Sequence, residues 1–249
     1  MTEVKLEICV DSAEGLAAAL RGGADRVELC SALGLGGLTP SVGLMERAAC
    51  TAQPVYAMIR PRPGDFVYGE SDARVMLAEI DHARDLGLHG VVLGASLASG
   101  ALDRALLERL VIHASGLGLT LHRAFDLTGP EFGAAIEIAV ELGFQRILTS
   151  GGALSALDGV AVLRDCFEQA AGRIVIMPGA GIGTTTLPAL IAALPVTEVH
   201  SSASAWRPAT NAHAIALGFE PASGKHTDEN RVRALKAMLT ASAGATGRG

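Results

Sequence analysis

The chain has 249 residues, about the usual length of one (β/α)8 barrel, so we expect a single domain over residues 1–249. Hydrophobic residues make up 49% of the chain and aromatic residues only 4%. This composition favours buried parallel strands that are covered by Ala- and Leu-rich helices. The net charge of −6, without a Lys/Arg-rich stripe, argues against a nucleic-acid-binding protein.

The first residues, MTEVKLEICVDS, lack the basic and apolar regions of a signal peptide, and no run of about 18 apolar residues occurs. We therefore expect a cytoplasmic protein with no membrane segment. The four cysteines are widely spaced and form no CxxC motif, which indicates reduced thiols rather than a disulfide framework.

Short apolar runs alternate with amphipathic stretches along the whole chain. Strands are predicted at residues 5–10, 25–30, 54–60, 88–94, 118–123, 145–150, 173–178 and 197–201. Helices are predicted at residues 12–21, 41–52, 72–86, 103–116, 130–142, 155–171, 184–193 and 227–241. Eight strand–helix units in strict alternation predict an α/β fold, a closed (β/α)8 TIM barrel.

Several local signals refine these boundaries. Ser12 is a predicted N-cap, Pro130 fits a first helical turn, and Thr184 is expected to open the seventh helix. Residues 202–226 are predicted to form an extended final loop, and residues 242–249 a flexible tail.

Alternation within the strands assigns polar side chains to the barrel lumen. Glu7, Glu28, Arg60, His122 and His200 share the lumen-facing phase of five different strands. A purely structural barrel core would use Val, Ile and Leu at such positions. Because buried charges need partners, the pattern favours a functional site over a structural polar core.

Two arginines follow the third strand in the sequence RPRPGDF. Arg60 and Arg62, held between prolines, are candidates for an anion clamp. The alternative is that these arginines only form salt bridges with neighbouring side chains.

The loops after strands five, six and seven contain further candidates. His122 is followed by Arg123 and Asp126, a combination that can transfer protons or orient a substrate. Ser150 ends strand six, and the turn with Gly179 and Gly181 can offer backbone N–H groups to an anion. Tight strand-to-helix turns also need glycine, so this last signal has a structural alternative.

Cys9 and Cys30 are expected at matching, neighbouring lumen positions on adjacent parallel strands, so their thiolates are candidates for binding a soft ion such as Cu(I) or zinc. The alternative is that both are small buried core residues.

Several motifs together resemble the CutC family of copper homeostasis proteins over residues 4–204. They are the segments LEICVDSAEGLAAALRGGADRVELCSALGLGGLTPS, YAMIRPRPGDFVY, LHRAFDLT, RILTSGG, IVIMPGAGI and EVHSSAS. The resemblance implies a TIM barrel, a cytoplasmic location, a homo-oligomer and Cu(I) binding by the cysteines that match Cys9 and Cys30. Three positions depart from the family pattern: Pro63 and Ala180 each replace a glycine, and Leu121 replaces a phenylalanine.

Two main functions are compatible with these residues. The first is copper homeostasis, with Cu(I) bound by Cys9 and Cys30. The second is an isomerase, epimerase or lyase acting on a small anionic, perhaps phosphorylated, molecule, with or without a divalent metal. Its catalytic candidates are Glu7, Glu28, His122 and His200. Its substrate-binding candidates are Arg60, Arg62, Arg123, Asp126, Ser150, Gly179 and Gly181. A non-catalytic scaffold would leave the polar lumen unexplained.

Overall fold

The computed structural model describes residues 3–245 and has eight short parallel strands that alternate with helices. This arrangement confirms the predicted TIM-barrel fold. The strands are β1 (Lys5–Val10), β2 (Arg26–Leu29), β3 (Val55–Met58), β4 (Gly90–Leu93), β5 (Gly118–Leu121), β6 (Arg146–Thr149), β7 (Val175–Pro178) and β8 (Glu198–Ser201).

The strands follow one another around the barrel in the order β7-β6-β5-β4-β3-β2-β1-β8. The two end strands of this order, β7 and β8, lie side by side, so the sheet nearly closes on itself. All strands run in the same direction, and their carboxyl ends therefore meet at one face of the barrel.

Helices surround this sheet and cover its outer face. They are α1 (Ala13–Gly22), α2 (Val42–Ala49), α3 (Glu70–Asp85), α4 (Arg104–His113), α5 (Phe132–Glu141), α6 (Val160–Ala170), α7 (Leu187–Ala193) and α9 (Glu229–Ala245). A short helix, α8 (Ala212–Ala216), lies after β8 and has no buried residue. The predicted N-cap Ser12 accepts a hydrogen bond from the backbone N–H of Gly15. Among the described residues, no helix is both long and apolar enough to cross a membrane.

Several helices begin later than predicted, and three of them follow a turn or a 3-10 segment that the sequence pattern did not separate from the helix. Pro130 lies inside a 3-10 segment, Arg123–Glu131, and α5 follows it. The helix predicted from residue 155 begins at Val160, after a turn. The prediction that Thr184 opens the seventh helix is wrong, because Thr186 Oγ1 accepts from the backbone N–H of Gly183 and holds a turn there.

The apolar residues of each strand face the helices. Leu6, Ile8, Val27, Leu29 and Ala57 are fully buried in the layer between the sheet and the helices. Since successive side chains alternate across a strand, this packing leaves the polar positions facing the lumen.

The segment predicted as an extended loop, residues 202–226, contains regular structure. Strands β9 (Ser204–Pro208) and β10 (Ser223–Thr227) form an antiparallel hairpin that encloses the short helix α8. These strands are partly or fully exposed, so they lack the buried face that a periodic apolar pattern would reveal. The predicted tail at 242–249 overlaps the end of α9, and its last residues, 246–249, lie outside the described residues.

Candidate functional site

The amino-terminal part of the lumen is closed by a layer of paired charges. Arg26 donates to both Glu7 and Glu198, and Arg146 donates to Glu198 at 3.0 Å. The guanidinium groups of both arginines lie over the ring of Tyr56, at 5.5 and 5.0 Å from its centroid. Two positive and two negative charges balance here, and this buried layer forms the floor of the lumen.

Above this floor, His200 lies between two buried carboxyl groups. Its Nδ1 is 2.7 Å from Glu7 Oε1, and its Nε2 is 3.8 Å from Glu28 Oε2. Strand register explains the arrangement: β1 sets Glu7 level with His200 of β8 and Cys9 level with Glu28 of β2. One ligand atom each of Cys9, Glu28 and His200 lies within 4.8 Å of the others.

Burial and neighbouring charges shift the pKa values of these groups. Burial alone would raise the pKa of Glu7, but Arg26 and His200 lower it to about 2. Burial raises the pKa of Glu28. Burial by itself lowers the pKa of His200, but Cys9, Glu28 and the hydrogen bond to Glu7 raise it well above its ordinary value. The cluster thus joins a firmly ionised carboxylate, a basic imidazole and a second carboxyl group of raised pKa.

The two candidate metal cysteines are not level in the barrel. Cys9 lies opposite Glu28, so Cys30 lies two residues beyond the position level with Cys9. The expectation that the two cysteines are level on adjacent strands is therefore wrong. The reason is the stagger between neighbouring strands that a closed barrel requires. Cys30 is fully buried against Tyr56, Met58 and Val92, with its Sγ 3.5 Å from Glu28 Oε2. Burial raises the pKa of both thiols.

A cavity of about 1070 Å³ opens at the carboxyl ends of the strands. Five of the predicted site residues contribute to its deeper wall: Cys9, Glu28, Arg60, His122 and His200. Arg123 and Gly181 line it nearer the mouth, together with Trp206 and Lys225 of the hairpin. Glu7 lies beneath the cavity and acts on it through His200.

The two arginines of the loop after β3 have different environments. Arg60 is buried and donates to the carbonyl oxygens of Leu35, Gly37 and Gly64 at 2.9–3.0 Å. Arg62 lies outside the cavity and pairs with Asp72 at 3.0 Å and Asp65 at 3.1 Å. Arg62 therefore takes the alternative arrangement, a salt bridge with its neighbours.

His122 is a buried, neutral side chain. Burial and the charge of Arg60 lower its pKa to about 3. Its Nδ1 accepts a hydrogen bond from the backbone N–H of Ala124 at 3.1 Å, so the ring proton lies on Nε2. The sequence identified His122 as a proton-transfer candidate, whereas this geometry makes it a hydrogen-bond donor.

Arg123, Asp126 and Ser150 form one network. Arg123 donates to Asp126 at 2.7 Å and to Ser150 Oγ at 2.8 Å. Asp126 also accepts from the backbone N–H groups of Ser150 and Gly152. Asp126 and Ser150 thus orient Arg123, which presents its charge at the cavity.

The glycine turn after β7 has a packing role as well as a place at the cavity. A Cβ on Gly179 would lie 2.5 Å from Leu148 Cδ1 and 3.4 Å from His200 Cβ, so glycine allows the close approach of His200. Gly181 and Ala180 both have a φ of 73° and both line the cavity.

Sequence reasoning missed two lumen residues, Arg26 and Arg146. Arg26 shares the strand phase of Glu28, and this signal would have identified it. Arg146 is the first residue of β6. It lies two residues before Leu148, which lines the cavity, and therefore shares the lumen-facing phase of that strand.

Comparison with known proteins places this geometry in a family. The model of the CutC family matches residues 4–205. A family protein CutC of Rhizobium meliloti is 56% identical over 98% of this chain and 99% of its own. One from Agrobacterium fabrum is 56% identical over 95% of this chain and 94% of its own. A crystal structure from Streptococcus agalactiae, described as a candidate copper homeostasis protein CutC, is 30% identical and has a TM-score of 0.77. It covers 80% of this chain and 98% of its own.

Proposed function

The chain belongs to the CutC family, and we propose that it is an enzyme that transfers protons on a small anionic molecule. The reaction class is that of an isomerase, epimerase or lyase. The observation that carries the proposal is His200, held between Glu7 and Glu28 at the base of a large cavity.

The cluster has the division of roles that acid–base catalysis needs. A general base works best when its pKa is near the working pH, and burial moves the pKa of Glu28 in that direction. His200 is a proton donor next to it, and Glu7 keeps the imidazole in place and charged. We therefore assign proton abstraction to Glu28 and proton delivery to His200.

The charge of the cavity supports an anionic substrate. Arg60, Arg123, Lys225 and Arg231 line it, against the carboxyl groups of Asp11 and Glu28. A concave surface with an excess of positive charge raises the local concentration of anions.

Deuterium exchange tests this proposal without knowledge of the natural substrate. The protein is incubated in D2O with a panel of small keto acids, hydroxy acids and sugar phosphates, and NMR follows deuterium at carbon. We expect exchange in at least one compound, a loss of at least about 100-fold in Glu28→Gln, and no loss in Glu79→Gln. Glu79 is a suitable control because burial also raises its pKa, to about 7, but it lies outside the cavity. Equal rates in Glu28→Gln and the wild type would refute the assignment.

Metal binding is the second candidate function, and a specific cluster favours it. The thiol of Cys9, the imidazole of His200 and the carboxyl group of Glu28 are close enough to share one ion. This mixture of sulfur, nitrogen and oxygen suits Zn²⁺ better than Cu(I), which prefers soft sulfur ligands. Copper binding by Cys9 and Cys30 is implied by the family resemblance, whereas the cluster described above contains Cys9 and not Cys30.

Anaerobic titration with Cu(I), and separately with Zn²⁺, against a competing chelator tests this second function. If the cluster binds metal, Cys9→Ser weakens one-to-one binding by at least about 10-fold. Cys50→Ser, the same change at the exposed C-cap of α2, leaves it unaltered. Identical affinity in the Cys9 variant and the wild type would exclude Cys9 as a ligand. The cytoplasmic location and the homo-oligomer remain predictions from the family resemblance.

A further inference from the structure

Two buried hydrogen-bond donors at the cavity wall have no acceptor among the described residues. Within residues 3–245, neither Nε of Arg60 nor Nε2 of His122 has a hydrogen-bond partner. The two residues are only 5% and 2% exposed. Arg60 Nε always carries a proton, and His122 Nε2 carries one because its Nδ1 accepts from Ala124. Neither atom has an acceptor at hydrogen-bond distance in the described chain, although Arg60 interacts with the buried hydroxyl of Tyr68 nearby.

The two donors belong to one small region. The ring of Phe66 lies 4.7 Å from the ring of His122 and 4.9 Å from Arg60 Cζ, and all three residues line the cavity. Because Phe66 packs against both side chains, an acceptor would reach the donors if this ring moved aside. A buried donor without an acceptor is costly, so a pair of them in one cavity indicates a ligand oxygen.

Arg60 also lacks a counter-charge. Its three acceptors are the backbone carbonyls of the loops at 35–37 and 64, and no carboxylate of the described chain forms a salt bridge with it. A buried guanidinium without an anion is unfavourable, and a ligand anion would correct this imbalance.

We propose that Arg60 and His122 form an oxyanion subsite, in which Arg60 Nε–H and His122 Nε2–H donate to the carboxylate or phosphate of the substrate. This inference rests on the proposed function and adds the orientation of the substrate. Arg60 and His122 follow the carboxyl ends of β3 and β5. Strand β4 lies between these two strands and is opposite β8 in a ring of eight strands. The anionic end of the substrate thus lies across the barrel from His200, and the reacting carbon faces Glu28 and His200.

The subsite is tested by anion binding with inorganic phosphate and with acetate as separate probes. Trp206 is the single tryptophan of the chain and lines the cavity, so its fluorescence reports binding there. We expect Arg60→Gln to weaken binding of the preferred probe by about 10-fold or more, since a charged hydrogen-bond partner is lost. Arg62→Gln removes the same charge two residues away, outside the cavity, and should change binding less than about twofold. Comparable affinities in Arg60→Gln and wild type, or an equal loss in both variants, would overturn the proposal.

Arg60 also anchors two loops, so a second measurement uses the unaltered protein. ¹⁵N NMR should show His122 as the Nε2–H tautomer, with the Nε2 resonance shifting when phosphate or acetate is added. An Nδ1–H tautomer, or a resonance unmoved by a saturating amount of both anions, would overturn the subsite. Anion binding that depends on Arg60 in a protein without deuterium exchange would refute the reaction and keep the subsite. Deuterium exchange in a protein whose anion binding does not depend on Arg60 would refute the subsite and keep the reaction.

Discussion

At the scale of single residues, Ala180 occupies a backbone conformation that favours glycine. Its φ is 73°, in the left-handed region, at the wall of the cavity. An L-residue with a Cβ is strained in this region, whereas glycine adopts it freely. The resemblance to the family already marked this position as one where glycine is usual.

Ala180→Gly should therefore raise the free energy of unfolding by about 0.5–1 kcal/mol. Urea denaturation measures this change. The control is Ala139→Gly, in the buried middle of α5, which should lower the same free energy by about 1 kcal/mol or more. A loss of stability in Ala180→Gly would show that its Cβ contributes more by packing than it costs in strain.

Glu79 is a partly buried carboxyl group on α3, and its ionisation should make stability depend on pH. Burial raises its pKa from 4.5 to about 7, and the hydrogen bond from Thr39 Oγ1 opposes this rise. The folded protein then binds more protons than the unfolded chain between pH 4.5 and 7, so this group lowers stability as pH rises through that window.

Glu79→Gln keeps an acceptor for Thr39 and removes the titration. We expect it to stabilise the protein by about 1 kcal/mol at pH 8, after allowance for the partial exposure of Glu79, and to change little at pH 4.5. Urea denaturation at the two pH values measures the difference. The same effect of the substitution at both values would contradict the burial of a titrating carboxyl group.

At the scale of elements, the pairing of α1 with α9 depends on Gly22. A Cβ at this position would lie 2.5 Å from Cβ of Val232, whereas a Cβ on Gly43 of α2 would meet no atom within 4 Å among the described residues. Gly22 is the last residue of α1 and Gly43 is the second residue of α2, so both lie in terminal turns of helices.

Gly22→Ala should lower the free energy of unfolding by about 1–3 kcal/mol through overpacking. Gly43→Ala should raise it by up to about 1 kcal/mol through helix propensity. Thermal or urea unfolding of this matched pair measures both. Equal changes in the two variants would mean that α9 does not pack against α1 as described.

The alternation of apolar residues predicts the elements of the barrel well, but two kinds of feature escape it. The hairpin of β9 and β10 is exposed, so no periodic apolar face marks its strands. The contact between Gly22 and Val232 joins residues more than 200 positions apart, so no local pattern indicates it. Gly23, by contrast, is the C-cap of α1 with a φ of 92°, and capping is a local property that the Gly-Gly pair at this helix end indicates.

At the scale of the whole molecule, strand phase identified the lumen residues but not their partners. It indicated Glu7, Glu28 and His200, which the barrel brings together. It could not show that Cys9 lies level with Glu28 rather than Cys30, because the stagger between strands is set by closure of the barrel. It also could not separate Arg60 from Arg62, since their environments depend on loop conformation.

The proposed proton-transfer site depends most directly on the charged imidazole at the base of the cavity, and NMR titration of His200 in metal-free protein measures this charge. Because its folded pKa is raised well above its ordinary value, His200 should remain protonated at pH 7. Its contribution to stability is then fully present below pH 6.5 and lost as pH rises through the folded pKa. Glu7→Gln should lower that pKa, since it removes the carboxylate 2.7 Å from Nδ1. A neutral His200 at pH 7, with a pKa that does not respond to Glu7→Gln, would contradict the proton-transfer site described above.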